Sequence, residues 1–81
     1  MKVKVRIPAK AGRPAEDFEV ELEGATLAEL REKLAESRGA FFAREAPLLA
    51  FVNDKSASKD WSRVELNDKD EVVFVSPVGG G

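Results

Sequence analysis

The sequence predicts an α+β domain, a mixed sheet of four to five strands with one main helix across one face. Three observations lead there: alternation of apolar and charged residues near the start, a capped leucine stripe at helical spacing, and a β-branched, aromatic run near the C-terminus. At 81 residues the chain is one domain. Such a chain buries about 60–65% of its unfolded surface, close to the least a single core tolerates without staples.

Near the N-terminus Val3, Val5 and Ile7 alternate with Lys2, Lys4 and Arg6, the period of a half-buried strand. Residues 8–14 hold Gly12 and two prolines and read as a loop. Phe18, Val20 and Leu22 then alternate with Asp17, Glu19, Glu21 and Glu23, a second strand that pairs with the first as a hairpin. The outer faces of the two strands are basic and acidic respectively. Opposite charges across the pair fix register more than they add strength, and both runs read chiefly as a solvated face.

Thr26 followed by Glu29 is a capping box ahead of Leu27, Leu30 and Leu34, so a helix starts here and buries its leucines. Gly39 suits the left-handed position that terminates it. One of Phe41 and Phe42 is expected to close the bottom of the core. Residues 48–52, Leu-Leu-Ala-Phe-Val, form a short strand apolar on both faces and ended by the turn residues Asn53 and Asp54. Residues 56–62 are a polar excursion in which Trp61 is a lid on the core edge rather than a ligand platform, since no other aromatic accompanies it. Val64, Glu65 and Leu66 suggest a brief edge strand. The turn residues 67–70 open the last strand, Glu71-Val72-Val73-Phe74-Val75.

One helix over one face, with the last strand lying centrally beside the first, is the ubiquitin-like β-grasp arrangement. If Val72 and Phe74 enter the core, Val73 and Val75 lie on the open face. With Phe51 or Leu49 they make an exposed apolar patch, the usual mark of a partner surface.

The strand ends at Ser76-Pro77, because proline has no N–H for a ladder and biases the preceding residue toward extended geometry. Residues 1–75 are therefore expected to be the folded domain and residues 76–81 a flexible tail, mobile until a partner orders it. The tail reaches about 20 Å. It ends Val78-Gly79-Gly80-Gly81. Without a Cβ, Gly80 and Gly81 pass a slot too narrow for other residues, and the terminal carbonyl is open to a nucleophile.

Composition narrows the chemistry further. The chain has no cysteine and no histidine, which removes disulfides, thiolate and imidazole metal ligands, a cysteine nucleophile and any Ser-His-Asp triad. Thirteen basic and fifteen acidic residues leave a net charge of -2, with no broad attraction to nucleic acid or anionic membrane. No signal peptide or membrane span is visible, so the reading is cytoplasmic. The Gly81 carboxylate is the one group positioned for chemistry. A carboxylate becomes an electrophile only when its oxygen is made a leaving group, and with no nucleotide-binding loop or base here a partner must do that.

The order of elements, with Leu48-Leu49-Ala50-Phe51-Val52-Asn53, Asp70-Glu71-Val72-Val73-Phe74-Val75 and the ending Pro77-Val78-Gly79-Gly80-Gly81, resembles the MoaD/ThiS sulfur carriers, most closely the small subunit of molybdopterin synthase. The resemblance covers nearly the whole chain. It implies that Gly81 is adenylated by a ubiquitin-activating-type (MoeB-like) enzyme using ATP and then bears a thiocarboxylate, with Gly80 its slender neighbour in the channel. It also implies a large synthase subunit (MoaE-like) that takes the sulfur, with no cofactor bound by this chain and no catalysis by it alone. Phe51, Val73 and Val75, with Pro77, Val78 and Gly79 of the tail, are the expected partner contacts. Lys4 and Arg6 stand where the family's first strand is often apolar, which limits the patch. Trp61 and the triple glycine are similar to the thiamine-pathway carriers, and the same tail serves ubiquitin-like modifiers joined to lysines; both remain alternatives.

Overall fold

The computed structural model describes residues 1–9, 14–24, 26–38, 42, 48–57 and 60–76. The elements run β1 (Lys2–Ile7), β2 (Glu16–Glu21), α1 (Leu27–Arg38), β3 (Leu49–Val52), β4 (Lys55–Ser56), a 3-10 turn at Trp61–Arg63, and β5 (Glu71–Val75). The strand order is β2-β1-β5-β3-β4. β1 runs parallel to β5 and every other pairing is antiparallel, so the sheet is mixed and the last strand is central, as expected.

The period-two reading of β1 holds residue by residue, with Val3, Val5 and Ile7 buried and Lys2, Lys4 and Arg6 exposed. β2 pairs with it so that Lys2 faces Glu21, Lys4 faces Glu19 and Arg6 faces Asp17. The Thr26 hydroxyl accepts the Glu29 backbone N–H at 3.2 Å and donates to the Glu29 carboxylate at 3.1 Å. That carboxylate folds back over Gly24, occupying the space in which any Cβ there would stand.

Leu27, Leu30 and Leu34 of α1 meet Val3, Val5, Val72 and Phe74 of the sheet in one core. Phe42 closes it, fully buried and edge-on to Phe74 at 5.1 Å. Trp61 is half-buried at the core edge, 5.8 Å from the Phe74 ring and stacked under Arg31 at 5.1 Å, as its reading as a lid requires. Among the described residues no polar or charged side chain is buried.

Two expectations change. Residues 64–66 form no strand of the sheet: Glu65 makes one isolated bridge to Thr26, and the Val64 carbonyl accepts the Leu27 N–H at 2.9 Å. The segment satisfies an orphan donor at the helix N-terminus instead of extending a ladder. The fifth strand is β4, made of Lys55 and of Ser56, the first residue of what read as a polar excursion. Asn53 and Asp54 both have positive φ, 49° and 70°, the backbone of a two-residue hairpin turn whose twist suits paired strands, and it returns the chain along β3. Gly39 and Phe41 lie outside the described residues.

Candidate functional site

β5 has two faces of different exposure. Val72 and Phe74 are completely buried against the helix layer, whereas Val73 and Val75 are half-buried on the open side. Pairing with β3 sets Val75 opposite Leu49 and Val73 opposite Phe51, two apolar cross-strand pairs side by side. Leu49 is 48% exposed, the one large hydrophobic among the described residues to be so. Both β3 candidates therefore join the patch. The signal was the i, i+2 spacing of Leu49 and Phe51, which puts them on one face.

The patch ends at β1. Arg6 lies beside Val73 and Lys4 beside Glu71, so the apolar surface gives way to charge within one strand spacing, as the outward Lys4 and Arg6 foretold. Arg6 donates through Nε to Asp17 Oδ1 at 2.7 Å across the hairpin. The hydrogen bond from Arg6 holds the Asp17 carboxyl below its ordinary range, and Asp17 in turn raises Arg6. The pair is solvent-exposed and fixes register rather than adding much stability.

A side-chain clamp sets β3 against β5 at the other end. Asn53 Oδ1 accepts the Glu71 backbone N–H at 2.9 Å, and its Nδ2 donates to Asp70 Oδ1 at 2.9 Å. Asp70 Oδ2 also accepts the Asn67 N–H at 2.8 Å. The positive-φ turn, the patch-bearing strand and the start of β5 are thus one hydrogen-bonded unit. This holds the cross-strand pairs in register and gives the patch a rigid base.

β5 is gripped on both sides, by β1 and β3, and the chain leaves it at Ser76. Of the expected site residues, the structure brings together Phe51, Val73 and Val75. Pro77, Val78, Gly79, Gly80 and Gly81 lie outside the described residues. Among the described residues no group of acidic side chains is arranged to hold a metal, and no helix is long and apolar enough to cross a membrane. With no cysteine or histidine in the sequence, the patch is an apolar surface that carries no nucleophile or general base of the usual kind.

Comparison with known proteins agrees with this geometry. The ThiS family model matches residues 5–81. The chain is 26% identical to one in a protein–protein complex of subunits 1 and 2 of molybdopterin-converting factor from Helicobacter pylori, with TM-score 0.70 and complete coverage of both chains. It is 29% identical to a putative molybdopterin converting factor subunit 1 from Pyrococcus furiosus, with TM-score 0.68, covering 96% of this chain and 99% of that one. The Haloferax volcanii protein HVO 2177 shares the fold at TM-score 0.67 and 22% identity, covering 100% of this chain and 87% of that one. No curated protein matches the chain. A family match from the first strand to the terminal glycine, on a mixed five-stranded sheet crossed by one helix, makes this chain a member of the ThiS/MoaD family of sulfur carriers.

Proposed function

We propose that the chain is the sulfur-donating small subunit of a molybdopterin synthase, its Gly81 carboxylate adenylated by a MoeB-like partner with ATP and then converted to a thiocarboxylate. The observation that carries the reading is the apolar pairing of Leu49 with Val75 and Phe51 with Val73, at the end of a strand whose sequence continues into Pro77-Val78-Gly79-Gly80-Gly81. A partner that seats on the patch receives the tail beside it. The subunit 1 and 2 complex of the Helicobacter pylori relative supports a second subunit as that partner.

Atoms and charge balance at each step. The Gly81 carboxylate attacks the α-phosphate of ATP and pyrophosphate leaves, giving an acyl adenylate. A sulfide-level sulfur then adds to the carbonyl and AMP departs, leaving the thiocarboxylate. In the synthase the thiocarboxylate sulfur bonds to a precursor carbon as an oxygen leaving group departs. Water then cleaves the bond between that sulfur and the Gly81 carbonyl, leaving the thiol on the product and restoring the carboxylate. This chain supplies the acyl terminus and the docking surface; its partners supply ATP binding, acid–base groups and the sulfur source.

The ThiS description of the family model favours a second reading, a carrier for the thiamine pathway, with identical activation. Conjugation to lysines would begin from the same adenylate. Intact mass after coexpression with the activating enzyme and a sulfur source tests the shared step, the expected result being a gain equal to sulfur replacing oxygen. A ladder of lysine conjugates would replace the carrier reading with the modifier one. Sulfur transfer to the molybdopterin precursor by the loaded chain and a large synthase subunit, against transfer with the thiazole-forming enzyme, assigns the pathway.

A further inference from the structure

We infer that the edge of β2, which pairs with no second strand among the described residues, is a second docking site, built to accept an extended basic segment of a partner as an added strand.

The ladder decides which backbone groups face outward. Met1 and Leu22 exchange both hydrogen bonds, Met1 N to Leu22 O at 3.0 Å and Leu22 N to Met1 O at 2.8 Å. In an antiparallel pair such positions alternate, so Val20, Phe18 and Glu16 also bond to β1. The N–H and C=O groups of Asp17, Glu19 and Glu21 therefore point away from β1, along the sheet edge. Their side chains are exposed on the open face.

The other side of that edge is a groove of about 730 Å³ between β2 and α1. Half-buried Phe18 and exposed Lys33 line its mouth, with Val20, Leu34 and Phe42 buried behind them. Arg38 bounds one end, stacked 3.5 Å over the Phe18 ring and paired with Glu16 at 3.0 Å. An added strand would alternate, one set of side chains entering the groove and the next lying beside Asp17, Glu19 and Glu21. Apolar residues suit the first set and cations the second.

Charge selects the occupant. A second copy pairing through its own β2 would set acid against acid across the new ladder, which is destabilising. The strand that β2 does accept, β1, reads Lys-Val-Lys-Val-Arg-Ile, with its cations opposite the same three acids. The outer edge repeats that template. It lies at the far side of the sheet from the Leu49–Val75 pair, so a basic segment can sit here while the tail is engaged elsewhere.

The probe is the capped peptide Lys-Val-Lys-Val-Arg-Ile, added to the intact ¹⁵N-labelled chain and read by amide exchange. The expected result is roughly tenfold slower exchange at Asp17, Glu19 and Glu21, weakening as salt rises. A peptide with glutamates replacing its cations should leave those amides unchanged. Glu19→Lys should weaken peptide binding several-fold. Glu19→Pro should weaken it too while keeping the fold, because the N–H it removes is not bonded to β1; should this variant unfold, Glu19→Lys carries the test alone. Deleting Gly81 should not alter peptide binding, which separates this site from the tail's chemistry. The inference is overturned if the acidic peptide binds equally, or if protection maps to Leu49, Phe51, Val73 and Val75. It also fails if Phe18 and Val20 respond while the outer amides do not, the mark of displaced β1. Concentration-dependent protection of the outer amides without peptide would make a second copy the occupant.

Discussion

Replacing Phe74 by alanine is the sharpest test of which face of β5 does what. The ring is fully buried, edge-on to Phe42 at 5.1 Å and tilted to Trp61 at 5.8 Å. Its cross-strand neighbour is Ala50, which has no bulk to move into the vacated space. Lost transfer energy, the cavity and two aromatic contacts together amount to about 3–5 kcal/mol. A domain of this size has on the order of 4–12 kcal/mol in all, so the midpoint should fall by roughly 15–30 °C. Val75→Asp is the control, since Val75 faces away from the core opposite the exposed Leu49. It should unfold near the parent midpoint and bind a large subunit more weakly. Thermal unfolding followed by Trp61 fluorescence measures the midpoint of both variants, with circular dichroism to confirm that signal and fold are lost together. If Phe74→Ala unfolded with the parent and Val75→Asp did not fold, the two faces of β5 would be inverted, and the partner patch with them.

Deleting Gly81 should abolish adenylation, measured as pyrophosphate exchange with the activating enzyme, without shifting the unfolding midpoint; one residue is roughly 3.3 Å of reach, enough to withdraw the acyl carbon from near-attack distance. Parent-rate exchange in that variant would remove Gly81 from its role. Asn53→Ala should cost about 1–3 kcal/mol, losing two side-chain hydrogen bonds and straining a residue at φ 49°, and a urea midpoint equal to the parent's would show that the clamp does not hold β3 to β5. Asp17 should titrate below the ordinary carboxylate range by ¹³C NMR and return to it in Arg6→Gln. Because its folded pKa is depressed, the pair's stabilising contribution is present above the unfolded value of about 4 and is lost as pH falls through the folded one; destabilisation by Asp17→Asn that persisted in stronger acid would sink that assignment.

Elements with a strong period were legible, and those whose form depends on a neighbour were not. β1, β2, α1 and β5 announced themselves because burial on one face imposes its period on the sequence. β4 could not, since Lys55 and Ser56 are both exposed and two polar residues carry no alternation. Its signal was the Asn53-Asp54 turn, readable as a chain reversal but silent about whether the next two residues pair. Residues 64–66 misled in the opposite sense. Leu66 is buried and Glu65 exposed, as in a strand, yet the Val64 carbonyl serves the start of α1. The apolar patch was legible from parity alone, once Val72 and Phe74 were taken inward. Its rigid base was not, because the Asn53–Asp70–Glu71 hydrogen bonds join residues 17 and 18 apart with no periodic trace. The groove beside β2 was equally hidden, since Arg38 reaches Glu16 across 22 positions.

The patch and the tail are coupled energetically under the proposed function. Threading residues 77–81 into a partner fixes five residues at about 1–2 kcal/mol each in backbone entropy, or roughly 5–10 kcal/mol. Glycine sits at the costly end of that range. Burying about 200–400 Å² of apolar surface at the patch contributes roughly 5–10 kcal/mol at about 25 cal/mol per Å², the same size as the ordering cost. Contacts to the patch are the same before and during the chemical step, so they belong to uniform binding. Val75→Asp should therefore raise KM for the carrier while leaving kcat unchanged when the carrier is saturating, whereas deleting Gly81 should remove kcat itself. Steady-state sulfur transfer at varied carrier concentration separates the two. A Val75→Asp variant that lowered kcat at saturation, with KM intact, would show that the patch acts in the chemical step and not only in holding the carrier in place.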